Sequence, residues 1–315
     1  MTFQRLVRDI PKIGLEWHRD RLLDNTQANV PSIRKAIRSV PLAEGRCLIV
    51  SAGPSLYRQK SLSKLNGYKG TIIATDGAYI QCLRAGITPD YVLTLDPHPT
   101  RIVRWFGDPD LESNLNGDDY FQRQDLDISF RENTLQVNQQ NIELIDSHPA
   151  KLVIACCSPP AVVKRTERMD RYWFVPLVDD PDREGLTQQM VHLANLPAMN
   201  TGGTVGNAAW VFAHTILKSR DIACVGMDFG YYLETPLAET QSWNMLKDRH
   251  DVEDCYQIEM GPWGKAYTDA TYFWYRSNLI DMLEAGNGHI TNCTEGGLLH
   301  GRRVKPMRLE KWLSQ

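Results

Sequence analysis

Apolar and polar positions alternate along this chain in blocks, and the blocks predict a parallel sheet. Cys47–Ser51, Thr71–Thr75 and Tyr91–Leu95 are short runs of aliphatic or β-branched residues, each cut off by Gly, Ser or Asp. Runs of that length and composition suit strands buried on both faces. The segments between them are long enough for crossover helices. Lys151–Ala155, Tyr172–Pro176, Ile222–Gly226 and His289–Asn292 continue the series. Helical spacing is predicted over Pro160–Arg168, Asn207–Lys218 and Ala270–Ala285, with a further helix near Thr134–Asp146. Residues 1–45 read as a helical preface of two helices, the second opened by Asn29–Ser32 and ending at Val40, packed across a sheet edge.

The fold class expected is therefore α/β, a doubly wound, mostly parallel Rossmann-like sheet with N-terminal helices. Two excursions lie over its ligand face, at 97–150 and 229–268. The domain reading is a helical extension over 1–45, one catalytic domain over 46–300 and a basic tail over 301–315. No repeat of solenoid length is present.

Composition narrows the class. The chain has 315 residues, 42% hydrophobic and 23% charged, as in ordinary globular proteins. A net charge of −3 gives no electrostatic reason to expect nucleic acid. No run approaches the roughly 20 apolar residues of a membrane span, and Met1–Ile10 lacks the apolar core of a signal peptide. Seven cysteines without framework or zinc-ligand spacing suit reduced thiols, so the expectation is a cytoplasmic protein. Oligomeric state is not legible.

The chemistry concentrates where strands end, because ligands of such sheets sit beyond the carboxyl ends. Gly53, Pro54 and Ser55 follow the first strand; Thr201, Gly202, Gly203 and Thr204 form a second glycine turn feeding a helix. Such turns expose N–H groups and a positive dipole end, which favour phosphate or carboxylate. The plain alternative is a tight turn. Neither matches a Walker loop or the dinucleotide fingerprint.

Asp76, next to Gly77, and Asp96 end neighbouring strands, where carboxylates hold Mg²⁺ or cap turns. Asp90, after Pro89, reads as a cap. Asp228 ends another strand, as a ribose or hydroxyl ligand or as a cap. His250 is the candidate general base, since imidazole titrates near neutrality. Lys265 is a candidate phosphate partner; Tyr231, Tyr232 and Tyr267 are candidates for stacking or for ordinary packing. Glu295 serves either ligand or the Gly296–Gly297 turn.

Together, Ser51–Leu56, Ala74–Ala78, Gly86–Pro97, Asn200–Gly206 and Val225–Phe229 resemble the motility accessory factor (Maf) and MptE-like family, over roughly residues 45–300 with 97–150 poorly matched. The Maf branch implies a glycosyltransferase of surface glycan or flagellin glycosylation. It would use a CMP-nonulosonic acid of sialic or pseudaminic type, with a glycan or protein hydroxyl as acceptor and no cofactor. In that reading Gly53–Ser55 and Gly202–Thr204 hold the phosphate, Asp76 and Asp96 contact ribose, base or a metal, and a residue of the 229–268 excursion, His250, deprotonates the acceptor, with Asp228 the other catalytic candidate. The MptE branch implies Mg²⁺- and ATP-dependent pyrophosphoryl transfer to 6-hydroxymethyl-7,8-dihydropterin, with Asp76 and Asp96 as metal ligands. That segment is also similar to thiamin pyrophosphokinase. Thr94–Pro97 lacks the paired aspartates usual there, whereas Asn292–Gly297 looks like the glycosyltransferase branch. A third expectation is a nucleotide-binding protein without turnover.

Overall fold

The structure is a computed structural model, and it describes residues 3–99, 102–114, 134–180, 183–240, 242–247 and 251–315. Its strands are β1 Lys35–Ala36, β2 Arg46–Val50, β3 Thr71–Thr75, β4 Tyr91–Thr94, β5 Lys151–Ala155, β6 Arg171–Leu177, β7 Ala198–Asn200, β8 Asp221–Val225, β9 Tyr256–Gly261, β10 Gly264–Asp269, β11 Ile290–Asn292 and β12 Val304–Pro306. The main helices are α1 Phe3–Asn29, α2 Ser55–Arg58, α3 Asp76–Arg84, α4 Thr134–Ser147, α5 Pro160–Arg165, α6 Leu186–Ala194, α7 Val205–Val211, α8 Ala270–Ala285 and α9 Leu309–Leu313.

Among the described residues ten strands form one sheet in the order β1-β6-β5-β4-β3-β2-β8-β11-β12, with β7 beside β6. Every pairing in it is parallel. The apolar runs account for this: β2, β3, β4, β5 and β8 are buried along nearly their whole length. Such strands need helices on both faces, and parallel connections supply them. From β2 the chain winds outward through β3 to β6, then returns to place β8 on the other side of β2. The crevice between β2 and β8 is the topological switch point, where ligands bind in open α/β sheets.

The preface differs from expectation. One long helix, α1, runs to Asn29; the second helix is absent, and short 3-10 turns flank β1, which pairs with β6. Asn29 explains the stop. Its buried side chain donates to the carbonyls of Cys156 (2.9 Å) and Ser158 (2.7 Å), tying the helix end to the loop after β5.

The expected C-terminal tail also joins the fold, because β12 extends the sheet beyond β11 and buried Trp312 of α9 packs on Tyr68. The 229–268 excursion contains an antiparallel hairpin, β9–β10, that the reading lacked. In β9 the apolar residues Ile258 and Met260 face solvent, whereas Ala266 and Tyr267 of β10 are buried. The helix after the second glycine turn reads α over 205–211 and π over Phe212–Ile216. All seven cysteines are buried free thiols. Among the described residues no helix is long and apolar enough to cross a membrane.

Candidate functional site

A cleft of about 200 Å³ opens at the switch point. The ends of β2, β3, β4 and β8 contribute Gly53, Asp76, Asp96 and Asp228, and the second glycine turn contributes Gly203 and Thr204. Two turns about 150 positions apart in the chain thus meet in one cavity, as parallel winding about a switch point requires.

The second turn is built for close approach. Gly202 and Gly203 have φ of +54° and +86°, the left-handed region that glycine tolerates. A Cβ on Gly203 would lie 2.5 Å from the Trp274 ring and 2.8 Å from Tyr275. Thr204 caps α7, its hydroxyl accepting the Gly206 N–H at 3.3 Å. Buried Asn207 donates to Gly202 O (3.0 Å) and Tyr275 O (2.8 Å), fastening the turn to α8.

The first turn is arranged differently. Gly53 N–H donates to Gly226 O at 2.9 Å, joining the turns after β2 and β8. Ser55 is buried and points inward: its hydroxyl donates to Asp228 Oδ2 at 2.7 Å and its N–H to the same oxygen at 3.4 Å. Ser55, expected as a phosphate contact, is not among the residues that line the cleft. Those donors serve Asp228, while Gly53 and Pro54 line the cleft.

Asp228 is a buried acid of the cleft. Burial pushes its carboxyl up to about 7, against the lowering effect of the two Ser55 hydrogen bonds and Arg58. A carboxyl that is neutral below that pH can give a proton or sit beside an anion.

Asp76 opens α3, its Oδ1 accepting Gly77 N–H (2.8 Å) and its Oδ2 the Thr94 hydroxyl (2.7 Å). Asp96 Oδ1 accepts His98 N–H at 2.8 Å. Asp90 caps no helix here: its Oδ2 accepts the Ile72 N–H of β3 at 2.8 Å, joining the start of β4 to the neighbouring strand.

Other candidates leave the cleft. Thr201 and Gly202 face a neighbouring cavity. Glu295 accepts the Leu309 N–H at 3.1 Å and pairs with Lys64 at 3.6 Å, so it anchors the C-terminal helix and lines neither cavity. Lys265 lies on the exposed part of β10. Tyr267 donates to Thr235 O at 2.5 Å, and the Tyr232 ring carries the Arg58 guanidinium at 3.9 Å. Tyr231 does line the cleft, its hydroxyl donating to buried Asp269 at 3.0 Å. His250 lies outside the described residues.

Sequence reasoning missed Tyr272 and Tyr275, which reach the cleft from one face of α8. Their i, i+3 spacing within Tyr272–Tyr275 was the available signal. Trp105, Thr75 and Glu239 were missed as well.

The described lining thus has four carboxyl groups (Asp76, Asp96, Asp228, Glu239), hydroxyl groups and three tyrosines, with no lysine or arginine. Mg²⁺ takes one or two carboxylates together with substrate phosphates and water. Among the described residues no group of three or more His, Cys, Asp or Glu is placed to hold a metal. The residues therefore fit Mg²⁺ only as a companion of a polyphosphate, through Asp76 and Asp96.

Comparison with known proteins bears on this cleft. Residues 20–109 match the family described as 6-hydroxymethylpterin diphosphokinase MptE-like. That span carries the first turn, Asp76 and Asp96, and stops before the second turn and Asp228. No curated protein matches the chain. Among solved structures, the Maf glycosyltransferase from Magnetospirillum magneticum AMB-1 has a similar fold, with TM-score 0.54 and 16% identity over 91% of this chain. The chain spans 38% of that protein's length. The family model bears out the MptE-like resemblance read from the motifs over residues 20–109, and the solved structure bears out the fold.

Proposed function

We propose that the protein is a nucleotide-dependent transferase that moves a sugar from a nucleoside monophosphate donor, of the CMP-nonulosonic acid kind, to a hydroxyl of a glycan or protein. The observation that carries this reading is the cleft's chemistry: both glycine turns converge on a lining rich in hydroxyl and carboxyl groups and devoid of lysine and arginine among the described residues. A single phosphate can be held by N–H dipoles and hydroxyl groups. A chain of phosphates in the same place would bring several negative charges against carboxylates with no fixed cation to offset them.

In this reading the second turn and the start of α7 receive the phosphate, and Tyr231, Tyr272 and Tyr275 flank the nucleoside or sugar. Asp228, protonated below about pH 7, tolerates the anion and supplies a proton to the departing phosphate. Stabilising that leaving group is the main demand of an oxocarbenium-like transition state.

The second reading is Mg²⁺-ATP-dependent pyrophosphoryl transfer to a pterin-like alcohol, favoured by the description of the family matched over 20–109. The bound metal would offset phosphate charge, held by Asp76 and Asp96, while the cleft positions the reactants. Calorimetric titration with CMP and ATP, each with and without Mg²⁺, separates the two. CMP binding indifferent to Mg²⁺ is expected. ATP binding that needs Mg²⁺ and disappears in Asp96→Asn would replace the first reading with the second. Binding of neither would overturn both.

A further inference from the structure

The cleft has a neighbour on the far side of the second glycine turn. This second cavity, of about 480 Å³, lies between α1, α8 and the loops after β4 to β7. That is within the roughly 300–1,000 Å³ of small-molecule sites. Leu95, Asp96, Gly203 and Tyr275 belong to both walls, so the two are adjoining compartments that meet at one turn and one carboxylate.

Its lining selects by charge. Asp96, Asp179 and Asp281 are the acids, His18 is the one imidazole, and no lysine or arginine lines it among the described residues. Unlike the cleft, it is not lined by Thr204, Val205 or Gly206, so no N–H groups from the start of α7 offset these acids and an anionic ligand is disfavoured there. A wholly apolar one would strip water from carboxylates without replacing its hydrogen bonds. A cation is not demanded either, because Asp179 already accepts the N–H groups of Leu186 (2.6 Å) and Thr187 (3.1 Å) at the start of α6. What remains is acceptor capacity above apolar walls from Leu15, Leu22 and Leu177, with the Trp274 ring alongside. Carbon faces that pack on such walls, combined with hydroxyl groups that donate to carboxylates, describe an uncharged sugar ring.

We infer that this compartment is the acceptor subsite and takes a neutral saccharide, an inference that rests on the transferase reading above. The hydroxyl oxygen of the bound ring forms a bond to the donor's anomeric carbon. The bond from that carbon to the phosphate oxygen breaks, and its electron pair leaves with the nucleotide. The hydroxyl proton is released to bulk water.

Gly14 of α1 offers a clean test. It lines this compartment only, is solvent-exposed, and a Cβ there meets nothing within 4 Å, so Gly14→Phe sets a bulky ring at the cavity's edge without a clash at its Cβ. Binding of methyl glycosides of neutral hexoses, read by saturation-transfer NMR, should be saturable in the wild type. It should fall at least tenfold in Gly14→Phe, with CMP affinity unchanged by calorimetry. Asp281→Lys, at the exposed rim, should weaken neutral glycosides several-fold and admit methyl glucuronide. No neutral-glycoside binding beside intact CMP binding, binding unaffected by both substitutions, or selective binding of 6-hydroxymethylpterin would overturn the inference. Glycoside binding without any nucleotide binding would instead overturn the transferase reading, and the acceptor role with it.

Discussion

The Ser55 hydroxyl donates to Oδ2 of Asp228 at 2.7 Å, and this contact joins the first glycine turn to the end of β8. It holds a buried acid in the cleft lining and commits the Ser55 hydroxyl to a link within the protein.

That acid makes stability depend on pH. Asp228 has a folded value near 7, raised by burial from an ordinary 3.8. The folded state therefore binds the proton more tightly than the unfolded state. Its contribution is full below about pH 4 and is lost as pH rises through 7, at up to ~1.4 kcal/mol per pH unit. Denaturant titrations of wild type and Asp228→Asn should diverge across that window, with the variant lacking the decline. Parallel curves would remove the buried acid from the account.

Two glycines should respond oppositely to alanine. A Cβ at Gly53 would sit 2.5 Å from Gly226 O and closer still to the Asp228 carboxylate. Gly53→Ala should cost about 1–3 kcal/mol and weaken nucleotide binding. Gly14→Ala, in open space within α1, should stabilise by roughly 0.5–1 kcal/mol through helix propensity. Thermal melts of the pair decide the signs.

Asn207 is the fastener of the second turn. Asn207→Ala removes the donors to Gly202 O and Tyr275 O. A loss of about 1–3 kcal/mol in stability is expected, with nucleotide affinity down at least tenfold. Unchanged affinity in the folded variant would show that the turn holds its shape without α8.

Arg276 is buried, pairing with Glu259 at 2.7 Å and donating to Leu298 O at 3.1 Å. Glu259→Ala leaves that charge without its carboxylate and should cost about 3–5 kcal/mol. Glu259→Gln, which keeps an acceptor, should cost less by chemical denaturation.

The sheet was legible because its signal is local. Runs such as Thr71–Thr75 need only short-range composition to announce a strand buried on both faces, and β3 is found over those residues. The hairpin β9–β10 was not legible, because its solvent-facing Ile258 and Met260 carry no information about a core. The second preface helix failed for a related reason. The end of α1 is set by Asn29 bonding to carbonyls 127 and 129 positions away, not by its neighbours in sequence.

The candidate site divides the same way. By itself the sequence determined the parallel strands, the two glycine turns and the acids that close the strands, since each follows from residue type and spacing. Only the tertiary structure decided which of them share the cleft. Ser55 and Asp228 lie 173 positions apart, and Glu295 is claimed by Leu309 and Lys64. Tyr272 and Tyr275 enter the cleft because Asn207 and Asp269 set the position and start of α8. A side chain's chemistry is local, but its partner is chosen by how distant segments pack.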